Sequence, residues 1–271
     1  MTALAFVELE RAESRVLGAT SLVDAATRVR IAGGLSVQPS AGARLQRNRS
    51  GLYVVTHAAG LAAHESAFDA PPALPPIGSV QVTLAIDDTQ GRYLSRLATI
   101  SLPLDPTPSD APAPGSLFSA IEIPLYPAPT AQPGANWAVL RVSVSDAASG
   151  DALGGALLIA SVTGRIVARG LSDWRGEAFV AVPGLPVTTW SDDPDAVVVS
   201  EIAAQLDLVF DPAAGTRVAA ALVREGRPPA VLPRVDPEAI EAARAALPHA
   251  SRAVTLASGR AQALSFPLAL P

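Results

Sequence analysis

Three histidines and one neighbouring carboxylate are the residues of this sequence best suited to metal or acid–base chemistry. His57 and His64 lie seven positions apart and Glu65 follows directly, so two imidazoles and one carboxylate would be available to a transition metal. This spacing matches no standard metal motif, and His249 lies far away, so ordinary loop histidines are the simpler interpretation. We therefore predict no metal site and no catalytic histidine.

Other reactive groups are scarce in the sequence. It contains no cysteine and no lysine, which excludes thiolate chemistry, Schiff bases and the lysine of a phosphate-binding loop. It also lacks the nucleophile elbow, the zinc-protease histidine pair and the glycine fingerprint of dinucleotide-binding proteins. We therefore predict that the chain is not an enzyme and uses no cofactor.

A cluster of acidic residues offers a second kind of chemistry. Asp192, Asp193 and Asp195 lie close to Glu201 in sequence, and their oxygens are of the type that calcium prefers. They lack the alternating spacing of a calcium-binding loop, so a solvated acidic loop is the better interpretation. The three aspartates remain candidates for contacting a protein partner.

Charge distribution and one tryptophan indicate protein partners. Residues 25–64 contain five arginines and no acid, whereas residues 176–216 contain seven acids and no base. Opposite charges favour head-to-tail contacts between copies or docking onto a larger particle; the alternative, that both stretches are merely solvated, stays open. Tryptophan and arginine are also common at interface hot spots. The predicted partner-binding residues are Arg28, Arg30, Arg44, Arg47, Arg49, Trp174, Asp192, Asp193 and Asp195.

The elements that must position these residues follow a pattern that occurs twice. The first copy contains Asp24-Ala25-Ala26, Gly33-Gly34, Asn48-Arg49-Ser50-Gly51 and Gly60-Leu61. The second copy contains Asp146-Ala147-Ala148, Gly154-Gly155, Asp173-Trp174-Arg175-Gly176 and Gly184-Leu185. Because these turn formers alternate with short apolar stretches, the repeat predicts antiparallel β-strands.

We predict an all-β protein of two tandem Ig-like, transthyretin-like antiparallel β-sandwiches with a short C-terminal helix and hairpin. Alanine and valine dominate the apolar residues, and only 4% of the chain is aromatic, which suits a core of packed sheets. The predicted parts are a first sandwich at 1–104, a proline-rich linker with a short strand at 105–135, a second sandwich at 136–212, and the helix and hairpin at 213–271.

The two ends of the chain carry further predicted elements. An alternating strand is expected at Leu4–Leu9. Near the other end, Asp236 as N-cap predicts a helix through about Leu247, where Pro248 stops it. The hairpin that follows would pack on the second sandwich or extend a sheet of a partner.

The second copy resembles a known family. The run from Val142 to Ile159, followed by Ser172 to Leu185, is similar to the carboxypeptidase regulatory-like, or transthyretin-like, β-sandwich family. The resemblance covers roughly residues 137–212 and implies a scaffold rather than a catalyst. It also extends, more loosely, to the first copy.

The first copy resembles a second group of proteins. The order of residues 47–53 and then 88–94 is similar to proteins encoded with bacterial phage-tail-like contractile injection systems. This resemblance implies a structural or adaptor subunit, cytoplasmic during assembly and later part of a released extracellular particle. The alternative function is a ligand-binding or adhesive module that recognises carbohydrate or a cell surface through loops around Trp174 and Trp190.

The composition of the chain disfavours two kinds of partner, nucleic acid and the membrane interior. The net charge of -5 and the lack of aromatics within the basic stretch disfavour nucleic acid. Apolar runs are too short to cross a bilayer, and the acidic start of the chain does not resemble a classical secretion signal. We expect protein partners, either subunits of a larger complex or copies of this chain, with no nucleic acid and no membrane span.

Overall fold

Most of the regular structure of the chain is β-strand. The computed structural model describes residues 15–66, 71–185 and 201–271, which contain sixteen strands, three helices of five or six residues and two short 3-10 turns. The all-β prediction is therefore confirmed at this level. None of the helices within these ranges is long and apolar enough to cross a membrane. The strand predicted at Leu4–Leu9 lies outside the described residues.

The strands divide between the two copies of the repeat. Those of the first copy are β1 Gly18–Asp24, β2 Leu35–Pro39, β3 Ala43–Arg47, β4 Tyr53–Ala58, β5 Val80–Asp88, β6 Arg96–Leu102 and β7 Ile121–Leu125. Those of the second are β8 Ala138–Asp146, β9 Ala152–Gly154, β10 Leu157–Val162, β11 Arg165–Leu171, β12 Glu177–Val182, β13 Glu201–Val209, β14 Thr216–Val218, β15 His249–Ala257 and β16 Ala261–Leu268. The helices are α1 Ala62–Ser66, α2 Ala220–Arg224 and α3 Pro237–Ala242, and the 3-10 turns are Pro108–Asp110 and Arg244–Ala246.

Alternation of apolar and polar residues explains why these segments are strands. In β5, Val82, Leu84 and Ile86 are buried, and the residues between them are more exposed. Successive side chains of a strand point to opposite faces, so such a segment buries one face and leaves the other accessible. β6 follows the same pattern.

The strands form four sheets. The first copy contributes the orders β3-β4-β1-β7 and β2-β5-β6. The second contributes β11-β10-β13-β15 and β12-β8-β9-β14, with β16 also beside β8. Pairing is antiparallel in most ladders, whereas β16 runs parallel to β8 over eight residues.

Most of the strand order is repeated between the copies. In each copy one strand ends in the repeated aspartate, β1 in the first and β8 in the second. This strand pairs with the strand that follows the repeated Asx–Gly turn, which is β4 or β12. It also pairs with the last strand of its copy, which is β7 or β16. The strand after the glycine pair begins a three-strand order, β2-β5-β6 or β10-β13-β15. The copies differ at one strand: β3 pairs with β4, but β11 pairs with β10. β7, the short strand expected within residues 105–135, therefore belongs to a sheet of the first copy.

The C-terminal helix begins as predicted and ends earlier. Asp236 is the N-cap, and its side chain accepts a hydrogen bond from the Ala239 N–H at 3.2 Å. α3 ends at Ala242 and gives way to a 3-10 turn, and Leu247 is extended because the following proline disfavours the helical conformation. The two strands of the expected hairpin enter different sheets, since β15 pairs with β13 and β16 with β8.

The chain forms two compact units that do not follow the sequence order. Unit 1 comprises residues 1–21, 39–82 and 100–121, and unit 2 comprises residues 22–38, 83–99 and 122–271. The core of unit 1 includes Val55 and Leu61, which are both completely buried. In unit 2, one large hydrophobic cluster combines side chains of the β8 sheet with side chains of the β10 sheet.

Within unit 2, one buried arginine holds the C-terminal segment. Arg96 on β6 is 0% exposed, and its guanidinium pairs with Glu238 of α3 through both nitrogens. It also donates hydrogen bonds to the carbonyls of Leu97 and Pro124. The Leu97 N–H in turn donates to the Val235 carbonyl at 2.8 Å. A buried guanidinium is tolerated only when its donors are paired, and these contacts meet that need.

Candidate interaction site around Trp174

His57, His64 and Glu65 are not brought together as a group of three. His57 Nδ1 lies 2.8 Å from Glu65 Oε1, so these two residues form a pair at the surface of unit 1. His64 is buried and takes no part in this pair. Among residues 15–66, 71–185 and 201–271, no group of three or more histidine, aspartate or glutamate side chains is placed to hold a metal ion.

The five predicted arginines are all exposed, but they belong to two different units. Arg44, Arg47 and Arg49 lie on β3 and the turn after it in unit 1, and the Arg47 guanidinium covers the Tyr53 ring at 5.9 Å. Arg28 and Arg30 belong to unit 2, where an Arg28 nitrogen lies 2.5 Å from a carboxylate oxygen of Glu122. The basic stretch is thus divided between the units.

The acidic stretch is partly neutralised by arginines that lie outside residues 176–216. Glu177 pairs with Arg175, Glu201 with Arg260, and Asp207 with Arg244. Asp207 is also buried and accepts hydrogen bonds from Gln205 and Ser251, which makes it part of the interior. Asp192, Asp193 and Asp195, together with Trp190, lie outside the described residues.

Trp174 is presented by a tight turn between β11 and β12. The carboxylate of Asp173 accepts hydrogen bonds from the backbone N–H groups of Arg175 at 2.8 Å and Glu177 at 3.0 Å. An aspartate that binds its own backbone in this way fixes an Asx turn. Ser172 anchors the start of the turn, because its hydroxyl donates to the Leu153 carbonyl and accepts from the Ala156 N–H. The half-buried Trp174 therefore sits on a rigid support.

The glycine pair of the second copy lets this turn approach the neighbouring strand. A Cβ atom on Gly154 would lie 2.9 Å from the Asp173 carbonyl oxygen and 3.0 Å from Trp174 Cα. A Cβ on Gly155, whose φ is +83°, would lie 2.8 Å from Val235. Only glycine allows these two contacts, so the repeated glycines position Trp174 against its neighbours.

Trp174 lines a concave site in unit 2 with a volume of about 320 Å³. Much of its wall is apolar and comes from distant parts of the sequence: Tyr93 follows β5, Pro129 follows β7, and Leu232, Pro233 and Val235 precede α3. Leu232 is 48% exposed and its neighbour Val231 is 74% exposed. Large apolar side chains exposed beside a concave surface are typical of interaction sites.

The carboxylates at this site are already engaged. Both carboxylate oxygens of Asp173 accept bonds within the turn, one of them from the Arg175 side chain. Asp88 accepts bonds from the N–H groups of Gln90, Arg92 and Tyr93. The Tyr93 hydroxyl donates to Asp24 at 2.9 Å, and burial together with this bond raises the pKa of Tyr93 to about 12. The site therefore offers mainly apolar surface to a partner.

Sequence reasoning identified Trp174 but not the residues around it. Tyr93, Leu232 and Val235 are distant from Trp174 in the sequence, and only the tertiary fold brings them to it. The proline-rich run before Asp236 contains the dipeptide Val231-Leu232. An apolar dipeptide in such a run is the sequence signal that would have indicated an exposed apolar segment. No protein-family model matches the chain, and no curated protein matches it.

Proposed function

We propose that this chain is a non-enzymatic structural or adaptor subunit of a larger bacterial assembly, built on two tandem Ig-like, transthyretin-like β-sandwiches. The strand order that recurs in β1–β7 and β8–β16 supports the tandem architecture. The resemblance of the first copy to proteins of phage-tail-like contractile injection systems makes such a particle the first assembly to test.

The observation that carries this proposal is the apolar concave site around Trp174. Its tryptophan is held by an Asx turn, and its carboxylates are consumed by hydrogen bonds within the chain. Interfaces place such aromatic anchors at their centre, where they contact apolar groups of the partner and exclude water. The partner in this proposal is a protein subunit that presents an apolar segment to Trp174.

The same geometry argues against carbohydrate as the ligand. Sugar hydroxyls need polar partners in addition to an aromatic platform, and Asp88 and Asp173 already accept several bonds from the chain. A sugar hydroxyl that replaced one of these donors would remove a bond that holds a turn. A protein partner with apolar side chains requires no such rearrangement.

Replacement of Trp174 in the native host tests the proposal. We expect the wild-type chain to sediment with a large complex, and Trp174→Ala to shift to the free fraction, because truncating a hot-spot tryptophan weakens binding by roughly 30-fold, or about 2 kcal/mol. Phe118→Ala is the matched control, since Phe118 is 57% exposed and lies outside the site. Thermal unfolding of each purified variant checks that the fold is retained.

Two outcomes would overturn the proposal. The first is a wild-type chain that is recovered from its host as a monomer without partners. The second is a folded Trp174→Ala variant that remains in the complex to the same extent as wild type. Glycan-array binding that disappears in Trp174→Ala would favour the adhesive alternative instead.

A further inference from the structure

The strand β15 lies at the edge of its sheet, and one side of its backbone is open. It pairs with β13 over nine residues and ends the order β11-β10-β13-β15. The Phe210 N–H donates to the Pro248 carbonyl, so the even-numbered residues of β15 face β13. Ser251, Ala253 and Thr255 therefore turn their N–H and carbonyl groups away from the sheet. No segment within residues 15–66, 71–185 and 201–271 bonds to these backbone groups.

The equivalent edge of the first copy is covered. β6 ends the order β2-β5-β6 in the way that β15 ends the order β10-β13-β15. The Leu97 N–H of β6 donates to the Val235 carbonyl at 2.8 Å, and the Thr99 N–H donates to a carboxylate oxygen of Asp236 at 2.9 Å. The segment before α3 thus satisfies the outer groups of β6. The same edge in the second copy has no such cover from the described part of the chain.

β15 also lacks the features that usually protect an edge strand from pairing with another chain. Such strands carry prolines, bulges or several charges. Among the other edge strands, β16 contains Pro267, β7 contains Pro124, and β3 has an irregular register beside Arg44. β15 contains no proline, and its register with β13 is regular throughout. Its one arginine, Arg252, donates to the Ser265 carbonyl of β16.

The sequence of β15 suits an antiparallel copy of itself. With a two-fold axis at Ala253, Ala253 pairs with Ala253 of the second copy, and Ser251 pairs with Thr255. All three outward residues then exchange both of their backbone bonds, which gives about six hydrogen bonds. In this register Arg252 lies opposite Val254. An axis at Arg252 would place two arginines directly opposite each other, which is destabilising, so the charge favours the axis at Ala253.

We propose that two copies of this chain form a dimer by antiparallel pairing of β15 about a two-fold axis at Ala253. The dimer joins two four-stranded sheets into one continuous sheet. A two-fold dimer uses the same surface on both copies, and the outward groups of β15 complement themselves in this way. Because a single strand pair is a small interface, we expect a dissociation constant on the order of 10 µM.

This inference goes beyond the function proposed above. Trp174 is not part of β15, so Trp174→Ala should dimerise like wild type. The two proposals therefore fail independently of each other.

Sedimentation velocity of the full chain at about 1 to 200 µM tests the proposal. We expect wild type to change from monomer to dimer across this range. Ala253→Pro removes an outward N–H and places a ring against the second copy, whereas the bonds to β13 are kept. We expect this variant to dimerise at least about tenfold more weakly. Thermal unfolding checks that the variant keeps its fold.

Ala263→Pro is the matched control. The Val139 N–H donates to the Arg260 carbonyl, so Ala263 on β16 also turns its backbone away from its neighbour, and it is exposed. The same substitution is thus made at a different edge. We expect its dimerisation to stay within about twofold of wild type.

Single cysteines test the register, since the chain has no cysteine of its own. In Ala253→Cys the two Cα atoms of the dimer lie about 5.5 Å apart, which a disulfide can bridge. In Thr255→Cys they lie about 13 Å apart, because the two cysteines are offset by four residues along the paired strands. We expect Ala253→Cys to form the covalent dimer at least about tenfold faster under mild oxidation.

Three results would overturn the proposal. The first is a wild-type chain that stays monomeric over the whole concentration range. The second is a folded Ala253→Pro variant that dimerises like wild type. The third is crosslinking of Thr255→Cys as fast as that of Ala253→Cys, and this comparison decides the matter if Ala253→Pro does not fold.

Discussion

The turn at Asn48–Gly51 in the first copy and the turn at Asp173–Gly176 in the second share a side-chain hydrogen bond and a left-handed glycine. In each, the side-chain oxygen of the first residue accepts a bond from the N–H four positions later, at 2.9 and 3.0 Å. The glycines have φ angles of +80° and +76°. The two turns therefore share this bond, and Asp173 also accepts bonds from the N–H and the side chain of Arg175.

Their surroundings differ. A Cβ on Gly176 would lie 2.2 Å from the Val144 carbonyl oxygen, whereas a Cβ on Gly51 would meet only the Arg47 side chain at 3.6 Å. The second turn is packed against a strand and supports the Trp174 site, whereas the first is an exposed hairpin connection. The duplicated turn thus has the same backbone geometry in both copies, and only the second is built into a site.

The largest loss of stability is expected for Gly176→Ala. The new methyl group cannot avoid a backbone oxygen, so the variant should lose more than about 3 kcal/mol of unfolding free energy. Gly51→Ala is the matched control and should lose only about 1 kcal/mol, the cost of a left-handed alanine in open space. Urea denaturation followed by circular dichroism measures both, and equal losses would show that the two turns are packed alike.

The second effect concerns the way α3 holds a strand from each copy. Arg96 of the first copy pairs with Glu238 and is completely buried, whereas Arg169 of the second copy pairs with Glu241 and is 37% exposed. Glu238→Ala should cost about 2–3 kcal/mol, because it leaves a buried guanidinium with Asp236 at 3.9 Å as its nearest carboxylate. Glu241→Ala should cost about 0.5 kcal/mol, because water screens this pair.

Salt provides the check on this pair of variants. The contribution of Glu241 should shrink further in about 1 M sodium chloride, whereas that of Glu238 should persist, because screening by ions acts mainly on exposed charges. Unfolding free energies of both variants at low and high salt measure the difference. A Glu238→Ala loss that vanishes at high salt would contradict the burial of Arg96.

The features that could be predicted from sequence are local ones. Asn48, Asp173 and Asp236 bind their own backbone within a few residues, so a turn or an N-cap can be predicted from residue type alone. Arg96 could not be predicted to be buried, because an arginine in an alternating strand suggests exposure and its partner Glu238 is distant in sequence. The Trp174 site was found only in part for the same reason.

The smallest change in stability is expected at the other repeated turn, which begins at Asp24 in one copy and at Asp146 in the other. Asp24 and Asp146 each accept, through the backbone carbonyl, a 2.9 Å hydrogen bond from the residue four positions later, which is Arg28 in one copy and Gly150 in the other. Arg28 and Gly150 have positive φ angles of +61° and +75°. This backbone conformation raises the free energy of an arginine but not that of a glycine.

Arg28→Gly should therefore stabilise the chain by about 0.5 kcal/mol. The variant relieves the backbone strain but loses the small stabilisation from the exposed ion pair with Glu122. Gly150→Ala should cost about 1 kcal/mol. Arg28→Ala separates the two terms, because it removes the ion pair and keeps the strained backbone. If Arg28→Gly is no more stable than Arg28→Ala, the left-handed conformation is not strained in the first copy, and the two aspartate turns differ more than their hydrogen bonds indicate.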